Sequence, residues 1–273
     1  MNYTQPIEFP GLENVIENVN LYKQKFLDDS IVVFRNANLT YDDQSFLHSS
    51  LGTPFIYYID TEGDDRAARY IENHSERNLI ETATSNDILL PWHIEHLYAG
   101  NSKVTATWNM TKFTTDIENG KTYFIDCEKA YNAMPEEWKA FLNACKINNP
   151  NPATDENLDD FSPIVNHWIT GNPTLRLAPR KNNNSGSTLR SVYNREATEL
   201  EKALFEEIFT WFGNYVYDNE EERIVHKWQQ GDLLIVDIFK LAHAVTGGFS
   251  PDDREFIGMW GFKNPTVPSN TLP

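Results

Sequence analysis

Cysteine is nearly missing from this chain of 273 residues. Only Cys127 and Cys145 occur, and neither belongs to a Cys-x2-Cys pair, which speaks against structural zinc and iron–sulfur sites. Two cysteines build no disulfide framework either, so a reducing, cytoplasmic compartment is expected. Long apolar runs are also missing. No uninterrupted stretch approaches the roughly 18 residues a transmembrane helix needs, and Met1-Asn2-Tyr3-Thr4-Gln5-Pro6 lacks the basic-then-apolar order of a secretory signal. Positive charge is the third shortage. Lys and Arg number 23 against 40 Asp and Glu, a formal net charge of -17. Phosphate backbones and anionic lipid would repel such a surface, so neither nucleic acid nor membrane is expected as a partner. The acidity itself is read as serving solubility.

Aromatic residues are plentiful, with 7 Trp, 12 Tyr and 16 Phe in a chain that is 40% hydrophobic. They favour strands over helices and supply a substantial core. The length suits one large domain over residues 1–273. Periodicity predicts a helix over 12–28, with Leu12, Val15, Ile16, Val19 and Leu21 among its apolar positions, then a strand at Ile31-Val32-Val33-Phe34-Arg35. Thr40 caps a second helix that Leu51-Gly52 ends. Strands are expected at 104–110 and 122–125, helices at 127–133 and 135–144, and a loop at 148–160. Residues 162–177 read as strand, turn at Gly171-Asn172-Pro173, and strand. An amphipathic helix follows at 197–212, with Leu200, Ala203, Leu204, Ile208, Trp211 and Phe212 as its stripe. Asp218–Arg223 is a solvated turn, and strands at 232–237 and 254–262 close the chain. Two polar stretches, about 60–87 and 180–195, are lid-like segments. The order implies a mainly β fold with flanking helices, a double-stranded β-helix (jelly roll or distorted barrel).

The chemistry concentrates in Trp92-His93-Ile94-Glu95 and in a later Asp237-x5-His243-x10-Arg254 segment. On an extended segment His93 and Glu95 point to the same side, because side chains alternate with period two. Apolar runs precede both His93 (Ile88-Leu89-Leu90-Pro91-Trp92) and His243 (Leu233-Leu234-Ile235-Val236), so each is expected to project from a buried strand. Metal ligation offsets the cost of burying such groups. Two imidazoles and one carboxylate make the facial triad of non-haem Fe(II) oxygenases, which leaves positions open for cosubstrate and O₂. Arg254 has the planar, permanently charged fork that a 2-oxoglutarate carboxylate needs. Its plain alternative is a surface salt bridge with Asp252 or Asp253. His96 falls on the opposite face of the strand and is expected off the metal. His167 and His226 show no triad spacing, and Trp92 and Trp228 are read as core residues.

These residues, in order, resemble the taurine/2-oxoglutarate (TauD/TfdA-like) dioxygenase family. Val32-Val33-Phe34-Arg35 with Leu51-Gly52 is similar to its N-terminal strand and helix, and Trp92-His93-Ile94-Glu95 to its Trp-His-x-Asp/Glu motif. Gly120-Lys121-Thr122 resembles its Gly-Asp-Thr, and Pro163-Ile164-Val165 through Gly171 and Leu175 its Pro-hydrophobic segment. Trp228-x2-Gly231-Asp232-Leu233 leading to Asp237 and His243 resembles its distal run. The resemblance implies His93, Glu95 and His243 as ligands of Fe(II), 2-oxoglutarate as cosubstrate held by Thr122 and Arg254, O₂ as oxidant, and a small molecule as substrate. For Thr122 an ordinary strand threonine is the plain alternative.

Three departures bear on detail. Glu95 replaces the commoner aspartate, as in branches acting on amino acids, and a carboxylate there argues against halogenation. Ile238-Phe239 stand where Asn-Arg is usual, so hydrogen bonding after Asp237 must differ. Gly258 stands where many members carry a second arginine. The expected activity is hydroxylation of an unactivated C–H bond of a small molecule, a free or carrier-bound amino acid. Alternatives are desaturation or cyclisation at the same iron centre, a jelly-roll protein that binds a metal or ligand without turnover, and a zinc hydrolase using the same ligands, which leaves Arg254 unexplained.

Overall fold

Alternation along Ile31–Arg35 sets the layering. Ile31 and Val33 join one apolar cluster while Val32 and Phe34 join another, so this strand is buried on both faces. The same split recurs in Leu233–Asp237, with Leu234 and Val236 on one side and Leu233 and Ile235 on the other. A strand buried on both faces must lie inside a sheet that is covered twice.

The computed structural model describes residues 5–52, 58–59, 68–71, 84–95, 103–148, 161–179 and 188–262. In chain order the strands are β1 (Ile7–Glu8), β2 (Ile31–Arg35), β3 (Tyr58–Ile59), β4 (Ala68–Ile71), β5 (Ile88–His93), β6 (Lys103–Phe113), β7 (Thr122–Asp126) and β8 (Cys145–Asn148). They continue with β9 (Ile164–Asn166), β10 (Pro173–Leu175), β11 (Thr188–Val192), β12 (Arg195–Glu196), β13 (Ile224–His226), β14 (Leu233–Asp237), β15 (Leu241–Thr246) and β16 (Arg254–Phe262). The described helices are α1 (Leu12–Glu17), α2 (Val19–Asp29), α3 (Tyr41–Ser50), α4 (Cys127–Ala133), α5 (Glu136–Asn143) and α6 (Glu199–Asp218).

The larger sheet runs β1-β2-β14-β6-β16, with β3 and β4 both pairing β16. The second runs β13-β7-β15-β5, and all of its pairings are antiparallel. Val33, Trp108, Phe124, Trp228, Val236 and Leu241 form one cluster drawn from both sheets, which therefore face each other across it. Among the described residues the sheets do not join into a closed barrel. The outer face of the larger sheet packs on the first three helices through Val15, Tyr22, Phe26 and Leu47. The outer face of the smaller packs on α6 through Trp92, Ile125, Ala242 and Ala244. This is the expected mainly β architecture with flanking helices.

Several local expectations are refined. The helix expected over 12–28 breaks at Asn18, whose side-chain amide turns back to donate to the Asn14 carbonyl at 2.9 Å. Thr40 caps α3 in a reciprocal pair with Asp43, and Thr198 does the same for α6 with Glu201. Helix α6 runs on to Asp218, and its buried stripe is Phe205, Ile208, Phe209, Phe212 and Val216. Leu200, expected on that stripe, is 82% exposed. Five positions before Phe205 at 100° each place it well off the apolar face. Four residues within 60–87 form β4 and add to the edge of β16, and residues 188–196 form the β11–β12 hairpin. Most of 60–87, together with 149–160 and 180–187, lies outside the described residues. No described helix is long and apolar enough to cross a membrane.

Candidate active site

Trp92 and Ile94 are buried in the outer cluster with α6. His93 and Glu95 therefore face the other way, into the space between the sheets. Strand β5 ends at His93, however, and Glu95 lies on the bend just beyond it. The period-two argument gives the right face, but strand pairing does not hold the carboxylate there. His243 reaches the same space from β15, as register partner of His93 on one side and Phe124 on the other.

The two imidazole rings lie 4.0 Å apart, and the Trp108 ring lies 5.2 Å from that of His243. His93 Nε2 and His243 Nε2 are each 3.9 Å from Glu95 Oε1, and one ligand atom from each of the three residues lies within 4.8 Å of the others. Donor atoms sharing one ion at ~2.1 Å would lie about 3 Å apart, so each histidine–carboxylate pair would close by about 1 Å and the widest separation by up to about 2 Å. His93 Nδ1 sits 2.8 Å from the Pro91 carbonyl. A carbonyl only accepts, so Nδ1 carries the hydrogen and Nε2 presents its lone pair to the centre. Side-chain exposure falls from 34% at His93 to 5% at His243, which places the open side of the centre at β5.

Arg254 occupies a corner of different character. The residue is buried, and its guanidinium carbon lies 5.6 Å from the Trp228 ring, 5.6 Å from Phe249 and 5.3 Å from Phe256. Among the described residues no hydrogen bond or ion pair reaches this guanidinium, and its buried Nε has no partner. Burial pulls its pKa down to about 10, so it remains a cation at neutral pH. The surface salt bridge is not formed. Asp252 is exposed, and the Asp253 carboxylate accepts from the Ser250 amide at 2.8 Å and the Thr114 hydroxyl at 3.0 Å. An isolated buried charge is costly unless something pairs with it. Gly120 borders this corner. A Cβ there would stand 3.1 Å from Phe249 Cδ1 and 3.6 Å from Arg254 Nη1, on a backbone whose φ of +57° already favours glycine.

Thr122 begins β7 and is 2% exposed. Its hydroxyl oxygen accepts the Trp228 indole N–H at 2.8 Å, which leaves the hydroxyl hydrogen to donate elsewhere. Trp228 is fully buried, as expected of a core residue, yet its indole touches Thr122 and its ring faces Arg254. Trp92 is likewise buried. At Gly258, a Cβ would meet the Trp260 ring at 2.8 Å, so the indole fills the space a longer side chain would need.

His167 pairs with Asp237 at 2.9 Å, and His226 lies 3.3 Å from Asp232, all four buried. Neither histidine joins the triad. His96 lies outside the described residues, as do the side chains of Arg66, Arg69, Tyr70 and Arg180; Arg190 is exposed on β11. Sequence reasoning missed Arg176, which donates to the carbonyls of Glu95 and Phe239. Its signal was an arginine between two leucines, Leu175-Arg176-Leu177, in an apolar segment.

The profile of the taurine catabolism dioxygenase TauD, TfdA family matches residues 4–260. No curated protein matches the chain in sequence. Among solved structures, a taurine dioxygenase from Burkholderia xenovorans superposes with a TM-score of 0.66 at 17% identity, over 94% of this chain and 85% of that one. AAD-2 in complex with Mn(II) and N-oxalylglycine gives 0.65 at 15% identity, over 96% and 94%. At such identities the likeness is one of fold.

Proposed function

The chain belongs to the TauD/TfdA family of Fe(II)- and 2-oxoglutarate-dependent dioxygenases, which makes it an oxidoreductase, and from that premise we propose that it hydroxylates an unactivated C–H bond of a free or carrier-bound amino acid. His93, Glu95 and His243 would hold the ferrous ion. Thr122 and Arg254 would hold 2-oxoglutarate. The convergence of three ligand atoms within 4.8 Å carries this reading.

The donor set fits the ion. Two neutral imidazoles and one carboxylate leave a net charge of about +1 and open positions for a chelating keto acid and O₂. When bound, the iron and its cosubstrate supply O₂ activation coupled to oxidative decarboxylation of 2-oxoglutarate to succinate and CO₂. The protein's own contribution is placement. His93 is fixed in one tautomer by the Pro91 carbonyl. Arg254 offers a preformed, desolvated fork to the distal carboxylate, and Thr122 can donate its hydroxyl hydrogen to the same anion. The aromatic walls exclude water from that corner, so each polar contact counts for more than it would in solvent. A zinc hydrolase with the same three ligands gives Arg254 nothing to do.

Glu95, rather than aspartate, supports the amino-acid reading of the substrate. Incubation with free amino acids, Fe(II), 2-oxoglutarate and O₂ is expected to give succinate and a product heavier by one oxygen atom. His93→Ala and His243→Ala are each expected to abolish succinate release. Equal turnover in either variant would end the ligand assignment. Turnover confined to substrates other than amino acids would end the substrate assignment alone.

A further inference from the structure

Arg176 follows β10 and is 2% exposed, and neither the metal centre nor the anion corner uses it. One Nη donates to the Glu95 carbonyl at 3.0 Å and the other to the Phe239 carbonyl. The guanidinium lies 4.4 Å from the centre of the Phe239 ring. Burial brings its pKa down to about 10, while the carboxylates of Asp237 and Glu95 act in the opposite direction. Both anchor points lie outside the strands. Glu95 is on the bend beyond β5, and Phe239 is in the turn that joins β14 to β15, four residues before His243. In that turn the Ile238 and Phe239 side chains are apolar and buried, while the Lys240 amide donates back to Asp237 Oδ1 at 3.3 Å.

We propose that Arg176 is a positioning residue that locks the bend carrying Glu95 against the turn leading to His243, so that carboxylate and distal imidazole present one metal-ready geometry. This rests on Glu95 being a ligand. An arginine suits the task because its rigid planar fork reaches two fixed carbonyls at once, whereas a lysine ammonium is a single point on a flexible stem. Groups that orient metal ligands in this way are worth about 10- to 100-fold in metal affinity.

The test uses the full chain and Mn(II) alone, with binding followed by loss of the free Mn(II) paramagnetic resonance signal and folding by circular dichroism. Arg176→Met is expected to weaken Mn(II) binding by about 10- to 100-fold, and Arg176→Lys by a smaller factor in the same direction. Both should change the spectrum of the bound ion. Leu142→Ala, a buried substitution on α5, should lower thermal stability while its Mn(II) affinity stays at the wild-type value. Wild-type affinity in both Arg176 variants, with Glu95→Gln still defective, overturns the positioning role and leaves the ligand assignment standing. Wild-type affinity in Glu95→Gln overturns the ligand assignment and this proposal with it. If Arg176→Met fails to fold, the lysine variant decides; if neither folds, the role is structural and the proposal fails.

Discussion

Two buried arginines, Arg176 and Arg254, are held in opposite ways. Arg176 and Arg254 are both almost wholly enclosed, and burial brings each down to about 10. Arg176 spends its fork on two backbone carbonyls and rests on one phenyl ring. Arg254 stands among three aromatic rings with no polar partner among the described residues. Ring faces offset part of the desolvation of a cation, roughly 1–2 kcal/mol apiece at best, but they do not replace an anion. One guanidinium therefore completes the folded protein, while the other, on the proposed reading, is left for an arriving carboxylate.

The comparison breaks most readily at Arg254. Arg254→Met removes one side of a buried charge pair and should raise the 2-oxoglutarate requirement on the order of 1000-fold, about 4 kcal/mol. The thermal midpoint of the ligand-free protein should not fall, because an unpaired buried cation is replaced by an apolar side chain of similar length. A lower midpoint with unchanged cosubstrate requirement would make Arg254 an ordinary structural residue. Arg176→Met should do the reverse. One buried and one partly buried carbonyl lose their donor, at about 1–3 kcal/mol for the buried one and less for the other, so a loss of about 3 kcal/mol in unfolding free energy is expected from urea titration. A variant as stable as wild type would show that solvent already reaches those carbonyls.

His48 sharpens the contrast, because it gives up its charge where the arginines keep theirs. It is fully buried beside the Thr107 hydroxyl, and desolvation lowers its pKa from 6.5 to about 4. As pH falls from 6.5 to 4, the unfolded chain takes up a proton that the folded chain refuses, so stability declines across that window. The integrated effect is about 3 kcal/mol. Thermal midpoints taken from pH 7 to 4.5 should therefore fall less steeply in His48→Gln than in wild type. Parallel curves would mean that another group governs the acid limb.

Legibility in the sequence follows the range of the interactions. Strand alternation at Ile31–Arg35 and Leu233–Asp237 and the Thr40 cap are local patterns, and short windows of residues reveal them, whereas the pairing of His93 with His243 was implied only by the family resemblance. The triad's face was readable for the same reason, since Trp92 and Ile94 must point into apolar surroundings. Arg176 was not readable. Its partners lie 81 and 63 residues away in the chain and are carbonyl groups, which every residue possesses and no residue type announces. The break at Asn18 was hidden because apolar spacing continues across it. Leu200 shows the converse fault, an apolar residue counted on a stripe whose face of the helix it does not share.

Thr122 tests the smallest difference between the two corners, whether the aromatic wall around Arg254 is passive. The Trp228 indole N–H donates to the Thr122 oxygen, so the threonine hydrogen is directed away from the tryptophan and is available to another acceptor. Valine keeps the β-branched shape that β7 accepts but removes both the acceptor and the donor. Thr122→Val should raise the KM for 2-oxoglutarate about fivefold, near 1 kcal/mol for one hydrogen bond, with kcat nearly unchanged. Trp228→Phe, which removes only the indole donor, should give a smaller rise of the same kind, because the hydroxyl then turns freely. If Thr122→Val lowers the thermal midpoint and leaves KM where it was, the hydroxyl serves the tryptophan alone, and Arg254 binds the keto acid without help from β7.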